Sequence, residues 1–296
     1  MSKKYAFLFC SDPLNSNKVD PMYQNEYVVA RLHHECLLVS FEDLQNKKLL
    51  LKGALSDKSV QIIYRGWMLK PEIYDFLYQA LKEENMRLIN TPDQYKKYHL
   101  LPGWYHDFEK ETPKSCWIEG TDIDEITKIA QKLAGPYIVK DYVKSLKHYW
   151  KDAAFIKDIG DQKEVKRVVT NFIRLQGDQL LGGIVLRKYE PLKFIGYHPE
   201  SGMPLSEEYR VFVLQNQIIN INNYWKTDTK KSLTDEEWDR ITKIGENICS
   251  NFITIDLARK KDGSLIIMEM GDGQVSGLQE LSADQFYQSI EATEKL

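Results

Sequence analysis

Phe252-Ile-Thr-Ile-Asp256-Leu-Ala-Arg-Lys-Lys-Asp262-Gly263-Ser-Leu-Ile-Ile-Met-Glu269-Met-Gly271-Asp272-Gly273-Gln-Val-Ser-Gly277 decides how the C-terminal half of the chain is read. Two apolar runs, Phe252 to Ala258 and Leu265 to Met270, flank Asp262-Gly263, the preferred central pair of a two-residue type I′ hairpin turn. On that geometry Lys261 pairs with Ser264, and stepping back five residues on each strand sets Asp256 opposite Glu269. Two carboxylates on one face, with Cβ atoms roughly 5 Å apart, are an unfavourable pair by themselves. A hard divalent cation with oxygen ligands removes the repulsion. The neighbours Ile253, Ile255, Ile266 and Ile267 are apolar, so the two acids stand out from a buried strand pattern. A solvated sheet edge, or a turn of another length that breaks the register, is the competing reading.

Glu269 leads into Met270-Gly271-Asp272-Gly273-Gln274-Val275-Ser276-Gly277. Three glycines after a strand allow close approach of backbone to a ligand, and a plain surface loop explains them equally well. The run is GxGxxxG, lacks a following helix and has no later ribose acid, which excludes the dinucleotide fingerprint. The chain has no GxxxxGK[ST], no HExxH and no GxSxG, so P-loop, zincin and nucleophile-elbow chemistries are excluded as well.

Upstream, Tyr5–Cys10, Cys36–Phe41, Ser59–Tyr64 and Arg87–Asn90 read as strands. Between them lie a helix over Pro21–His34, with apolar Met22, Val28, Val29 and Leu32, and one opening at Pro71, with Ile73, Phe76, Leu77 and Leu81 in period. That βαβαβ rhythm predicts a small parallel sheet. Tyr98 to Thr121, rich in aromatics and prolines, reads as a connector, and Thr121–Gly135 as a helix. The remainder is α+β: strands Tyr137–Lys140, Gly183–Tyr189, Glu208–Leu214 and Gln217–Asn222, the last two joined by a Gln215-Asn216 turn. A helix over Val165–Leu175 stops at Gly177, and capping boxes at Thr234 and Ser282 open two more helices.

A chain of 296 residues buries a core without staples, and 28% charged with 43% hydrophobic residues excludes a disordered or fibrous protein. Forty basic against 43 acidic residues give net charge −3, which argues against binding duplex nucleic acid by charge alone. Cys10, Cys36, Cys116 and Cys249 form no CxxC pair, which fits a reducing compartment. The N-terminus is too short in apolar residues for a signal peptide and no stretch reaches membrane-span length, so the expected location is cytoplasmic, with no membrane partner.

Lys140 ends an apolar strand, where a lysine is poorly solvated unless it meets an anion. With Lys144 and Ser145 it could clamp phosphate oxygens, while Lys147 and Lys151 read as solvated. The interleaved lysines and aromatics of residues 140–151 also suit a single-stranded nucleic-acid track. Arg187 lies in an apolar strand, and Arg210 shares a face with Phe212 and Leu214 that meets Ile219 and Ile221 across the turn. Each arginine wants a carboxylate or phosphate, or else a structural ion pair. The six histidines form no spaced cluster, and none is assigned a role.

Strand lysine, strand arginine, strand arginine, then two acids on successive strands before a glycine loop: this order resembles the ATP-grasp superfamily, and more narrowly the clade named for two arginines and a lysine. The strings that carry the resemblance are Val139–Ser145, Glu208–Phe212 and Glu269–Gly277, with Thr91–Tyr95 and Thr112–Ser115 in the connector. The resemblance implies a Rossmann-like pre-ATP-grasp domain over residues 1–97, a connector and helix over 98–135, and a two-lobed ATP-grasp domain over 136–296 with ATP between its lobes. It implies that Lys140 contacts ATP phosphates and that Arg187 and Arg210 bind phosphate or the substrate to be activated. Asp256 and Glu269 would hold Mg²⁺, with Asp272 the candidate third ligand because Glu269-Met-Gly271 replaces the common Glu-x-Asn. Val185–Pro191 would be the hinge whose backbone reads adenine, placing Lys188, Tyr189 and Glu190 at the nucleotide, with Glu190 toward the ribose. The implied activity is an ATP-dependent ligase. It would activate a carboxylate as an acyl phosphate for attack by an amine or similar nucleophile, releasing ADP, with a small-molecule or peptide acceptor. The alternatives are an ATP-dependent RNA end-joining or repair enzyme and a non-catalytic nucleotide-binding protein.

Overall fold

Tyr5-Ala-Phe-Leu-Phe-Cys-Ser-Asp12 is apolar at almost every position, the pattern of a strand buried on both faces. In the computed structural model, which describes residues 4–198, 204–226 and 233–294, it is the middle strand of a largely parallel sheet. Cys36–Val39 and Gln61–Arg65 flank it in parallel, Arg87–Leu88 extends the sheet beyond Gln61–Arg65, and Leu51–Lys52 closes the other edge antiparallel. Alternate side chains of the middle strand feed opposite cores. Tyr5, Phe7 and Phe9 pack with Phe212, Phe252, Phe286 and Tyr287, whereas Ala6, Leu8 and Cys10 pack with Ile62, Tyr74, Leu77 and Leu81.

The chain divides into two compact units. The first comprises Met1–Tyr98, Tyr209–Asp256 and Met270–Leu296, the second His99–Glu208 and Leu257–Glu269. In the first, Pro71 is the initial residue of the helix Pro71–Glu83, whose Ile73, Leu77 and Leu81 are buried as the period requires. The expected helix near Pro21 is a short 3₁₀ turn followed by Gln24–His33, and it buries Val29 and Ala30 while Met22, Val28 and Leu32 face solvent. Asn15–Val19, a polar run with no apolar alternation, folds back on the middle strand as an unforeseen arm.

Glu208–Leu214 and Gln217–Asn223 pair through Gln215 and Asn216, whose φ values of +48° and +63° are those of a type I′ turn. A bulge then leaves Ile219 unpaired, so Arg210 sits opposite Asn222 and Phe212 opposite Asn220, one residue off the expected Ile221 and Ile219. The extra residue places Ile219 against the Phe212–Phe286 core. The sheet order is Gln217–Asn223, Glu208–Leu214, Phe252–Arg259, Leu265–Asp272. Both capping boxes form, Thr234 with Glu237 and Ser282 with Gln285.

The second unit is built on an antiparallel sheet ordered Ser115–Glu119, Gly183–Lys188, Tyr137–Lys140, Phe155–Ile156. Helices Gln162–Gln176 and Ile123–Ala130 cover it through Val165, Val168, Val169, Phe172, Ile126 and Ala130. Ser115–Glu119, expected as connector, is a strand paired along its length with Gly183–Arg187. Its alternation is too short to show in sequence. The tip of the final hairpin also departs from expectation. Lys260 N–H donates to Ser264 O (2.8 Å) and Gly263 N–H to Lys260 O (3.0 Å), giving a three-residue loop rather than a type I′ pair. Only Gly263 is left-handed (φ +90°), because Asp262 turns its carboxylate onto the Ser264 N–H and hydroxyl. Among the described residues no helix is long and apolar enough to cross a membrane, and all four cysteines are free thiols.

Candidate active site

In the second unit, the strand Tyr137–Lys140 carries Lys140 out of the core at its last residue. Asp141 then folds the chain back: its buried carboxylate accepts the N–H groups of Val143 (2.7 Å) and Lys144 (2.5 Å) on one oxygen, and the Leu181 N–H (3.1 Å) and Gln176 amide (3.2 Å) on the other. That turn bridges Lys140 to Ser145. The Lys140 ammonium, 7% exposed, donates to Glu269 Oε1 at 2.9 Å across 129 residues of sequence. The Glu269 side chain keeps 40% of its surface. Desolvation opposes its charge, but Lys140, with Lys147 and Arg187 behind it, prevails and holds the carboxyl below the usual range.

Arg187 is 4% exposed, with its guanidinium against neutral acceptors. One terminal nitrogen reaches Ser115 Oγ (3.0 Å), and the other reaches Thr112 Oγ1 (2.8 Å) and Met268 O (2.7 Å). Both hydroxyls are oriented to accept, because Ser115 donates to Pro113 O and Thr112 to Ile267 O. The Trp104 ring lies 5.8 Å from the guanidinium carbon. Among the described residues Arg187 has no ion pair, and desolvation pushes its pKa down to about 10, leaving it a cation at neutral pH. A buried charge held only by neutral dipoles is costly unless an anion completes the site.

Arg210 and Asp256 meet in the first unit. Arg210 binds the carboxylate through two bonds of 2.8 and 2.7 Å, reaches Gly277 O at 2.8 Å and faces the Tyr224 ring at 4.9 Å. Asp272, the expected third metal ligand, is surrounded by protein donors. It is fully buried; Oδ2 accepts from Asn90 (2.6 Å), and Oδ1 from the Gln274 backbone (2.9 Å) and side-chain amide (3.1 Å). Burial pushes its pKa up to about 6, as for a structural carboxyl. The glycine loop is likewise packed rather than a surface loop: a Cβ on Gly273 would stand 2.8 Å from the Phe252 ring.

Of the other expected residues, Lys144 and Lys188 are exposed and Ser145 lies in the Asp141 turn. In the segment expected to be the hinge, the N–H groups of Lys188 and Tyr189 donate to Lys114 O and Pro136 O, and Tyr189 packs on Trp150 and Phe155. The rings read as a nucleic-acid track at Trp150 thus serve packing. Sequence reasoning missed Arg65, which is buried on Glu26 and on the carbonyls of Gly273, Gln274 and Ser276, and so clamps the glycine loop. It also missed His99, which burial, reinforced by Lys140 and Lys144, drives down to about 4 and keeps neutral against the pull of Glu269. Thr112 and Ser115 were noted only as part of a resemblance; their spacing gives no sign that they hold Arg187.

The ATP-grasp domain family 3 of the clade named for two arginines and a lysine matches residues 126–290, more than half of the chain and all of the residues just described from Lys140 to Gly277. The chain belongs to that family. No curated protein matches it. Solved structures share the fold at low identity. The ATP-grasp ligase PsnB complexed with minimal precursor, Mg and ADP is 11% identical with a TM-score of 0.57, each chain covered in full. The RimK domain protein ATP-grasp from Sphaerobacter thermophilus DSM 20745 is 12% identical with a TM-score of 0.58, covering 97% of this chain and 99% of its own. The D-alanyl-alanine synthetase A from Vibrio cholerae O1 biovar eltor is 10% identical with a TM-score of 0.56 over both chains entire.

As a metal site, the donor set of this ATP-grasp chain suits a hard cation that arrives with phosphate. Among the described residues no three His, Cys, Asp or Glu side chains converge, so no all-protein cage exists there. Glu269 offers carboxylate oxygens with part of its surface open. Mg²⁺ ordinarily takes one or two carboxylates and fills its remaining positions with substrate phosphate and water.

Proposed function

We propose that this chain is an ATP-dependent ligase of the carboxylate–amine type, using ATP with Mg²⁺. The observation that carries the reading is Arg187: a buried guanidinium held directly by Thr112, Ser115 and Met268 with no ion pair among the described residues, beside the Lys140–Glu269 pair. A phosphate is the anion that such a fork accepts best. Lys140 and Arg187 bind the transferring phosphoryl group and neutralise the charge that develops on it, and Arg210 binds phosphate or the acceptor carboxylate. The Lys188–Glu190 segment and the Lys144–Ser145 turn border the nucleotide. Glu269 is the carboxylate of the second unit that would hold Mg²⁺, which when bound supplies charge neutralisation at the phosphates.

The chemistry needs no side-chain nucleophile. An acceptor carboxylate oxygen attacks the γ-phosphorus, the bond to ADP breaks, and an acyl phosphate forms. An amine then attacks the carbonyl carbon, loses a proton, and expels inorganic phosphate as the amide forms. The protein contributes position and preorganised positive charge, which dominate the acceleration of such reactions. A peptide or small-molecule acceptor is the reading that PsnB and the D-alanyl-alanine synthetase favour among the relatives. The test is calorimetry with ATP in the presence and absence of Mg²⁺, followed by ADP release with carboxylate and amine mixtures. Metal-dependent binding in wild type and loss of at least about 100-fold in turnover for Lys140→Ala are expected. Unchanged turnover in that variant overturns the assignment.

A further inference from the structure

We infer that Lys140 is the internal counter-ion of Glu269, and that a nucleotide phosphate must displace it before the carboxylate takes a divalent cation, so nucleotide and cation bind as a coupled pair. This inference rests on the ATP-grasp reading above. In the present arrangement the Glu269 carboxylate is already neutralised at 2.9 Å, and the charges that face it are Lys140, Lys147 and Arg187. His99, which feels the charges of Glu269 and Lys140, is kept neutral by burial. A free cation approaching this group meets a net positive field and an occupied ligand.

A phosphate reverses both conditions. Arg187 rests on the Met268 carbonyl, one residue from Glu269, with no ion pair of its own among the described residues and only the more distant pull of Glu269 and Glu190, so an anion drawn to it arrives beside the Lys140–Glu269 pair. The phosphate offers the Lys140 ammonium a stronger partner than one carboxylate oxygen. Released, Glu269 becomes an unpaired carboxylate next to phosphate oxygens, which is the usual ligand set of a nucleotide-borne hard cation. Lys140 sits on a strand end tied to Ser145 by a bridge, so the exchange requires its side chain to turn and leaves the backbone in place. In the first unit Arg210 neutralises Asp256 by a pair of the same kind.

Variants of the two partners probe the exchange from opposite sides, with Mn²⁺ followed by electron paramagnetic resonance and AMPPNP by calorimetry. Without nucleotide, wild type is expected to bind Mn²⁺ about tenfold or more weakly than with AMPPNP saturating. Lys140→Met should raise the nucleotide-free Mn²⁺ affinity by about tenfold, while Lys140→Arg, which keeps the charge, should not. Glu269→Gln should show a crossing: in EDTA it binds AMPPNP about fivefold more tightly than wild type, and in Mn²⁺ it binds more weakly. Equal Mn²⁺ affinity in wild type and Lys140→Met, or weaker AMPPNP binding by Glu269→Gln in EDTA, overturns the inference. If Lys140→Met does not fold, the Glu269→Gln crossing decides. Wild type that binds AMPPNP, yet binds Mn²⁺ equally well with and without it, removes the exchange and leaves the ligase reading standing. Wild type that binds no AMPPNP in either medium removes both.

Discussion

Replacing Arg187 with methionine should separate stability from function in a way that a structural arginine would not. The drop of its pKa from the ordinary guanidinium range to about 10 means that folding disfavours the cation by about 3 kcal/mol, at about 1.4 kcal/mol per unit. Because the folded value is the lower one, this cost is present at every pH below 10 and is relieved only as pH climbs above it. Arg187→Met removes it and fills similar space. The loss on the other side is the Met268 carbonyl, left without its guanidinium donor at about 1–3 kcal/mol, while Thr112 and Ser115 keep their own bonds to Ile267 and Pro113 carbonyls. The ligand-free variant should therefore be as stable as wild type or up to about 2 kcal/mol more stable. In urea titrations with AMPPNP and Mg²⁺ at about 100 times the wild-type Kd, wild type should gain about 2.7 kcal/mol and the variant almost nothing. A variant destabilised by about 3 kcal/mol or more that still gains the full ligand stabilisation would show that Arg187 is a structural group, and would refute the anion-site argument.

His99, with a folded pKa of about 4 against 6.5, binds its proton more readily when unfolded. Stability should therefore fall as pH drops from 6.5 to 4, by up to about 3 kcal/mol, and His99→Gln should flatten that slope in urea titrations at pH 7 and 4.5. Gly273→Ala should cost about 1–3 kcal/mol by thermal or urea unfolding, since its Cβ would press on the Phe252 ring at 2.8 Å; an unchanged midpoint would mean that the ring moves aside freely.

What the sequence by itself determined is local. The buried strand read at Tyr5–Cys10, the strand ends at Lys140 and Leu214, the Gln215-Asn216 turn and both capping boxes are properties of a few adjacent residues, and each formed where its period or spacing places it. The candidate residues Lys140, Arg187, Arg210, Asp256 and Glu269 were legible for the same reason, as charges interrupting apolar strands. Their partners were not. A carboxylate–backbone bond at Asp262 lengthened the final turn by one residue, and a bulge at Ile219 shifted the Arg210 register, because hairpin register is decided by small differences that composition does not carry. Lys140 meets Glu269 across 129 residues, Arg210 meets Asp256 across 46, and Arg187 finds Thr112 75 residues away. Which cation is neutralised and which is left waiting for an anion depends on such long-range encounters. Tertiary packing alone decides them, since the cost of a buried charge is set by whatever the fold brings within about 4 Å of it.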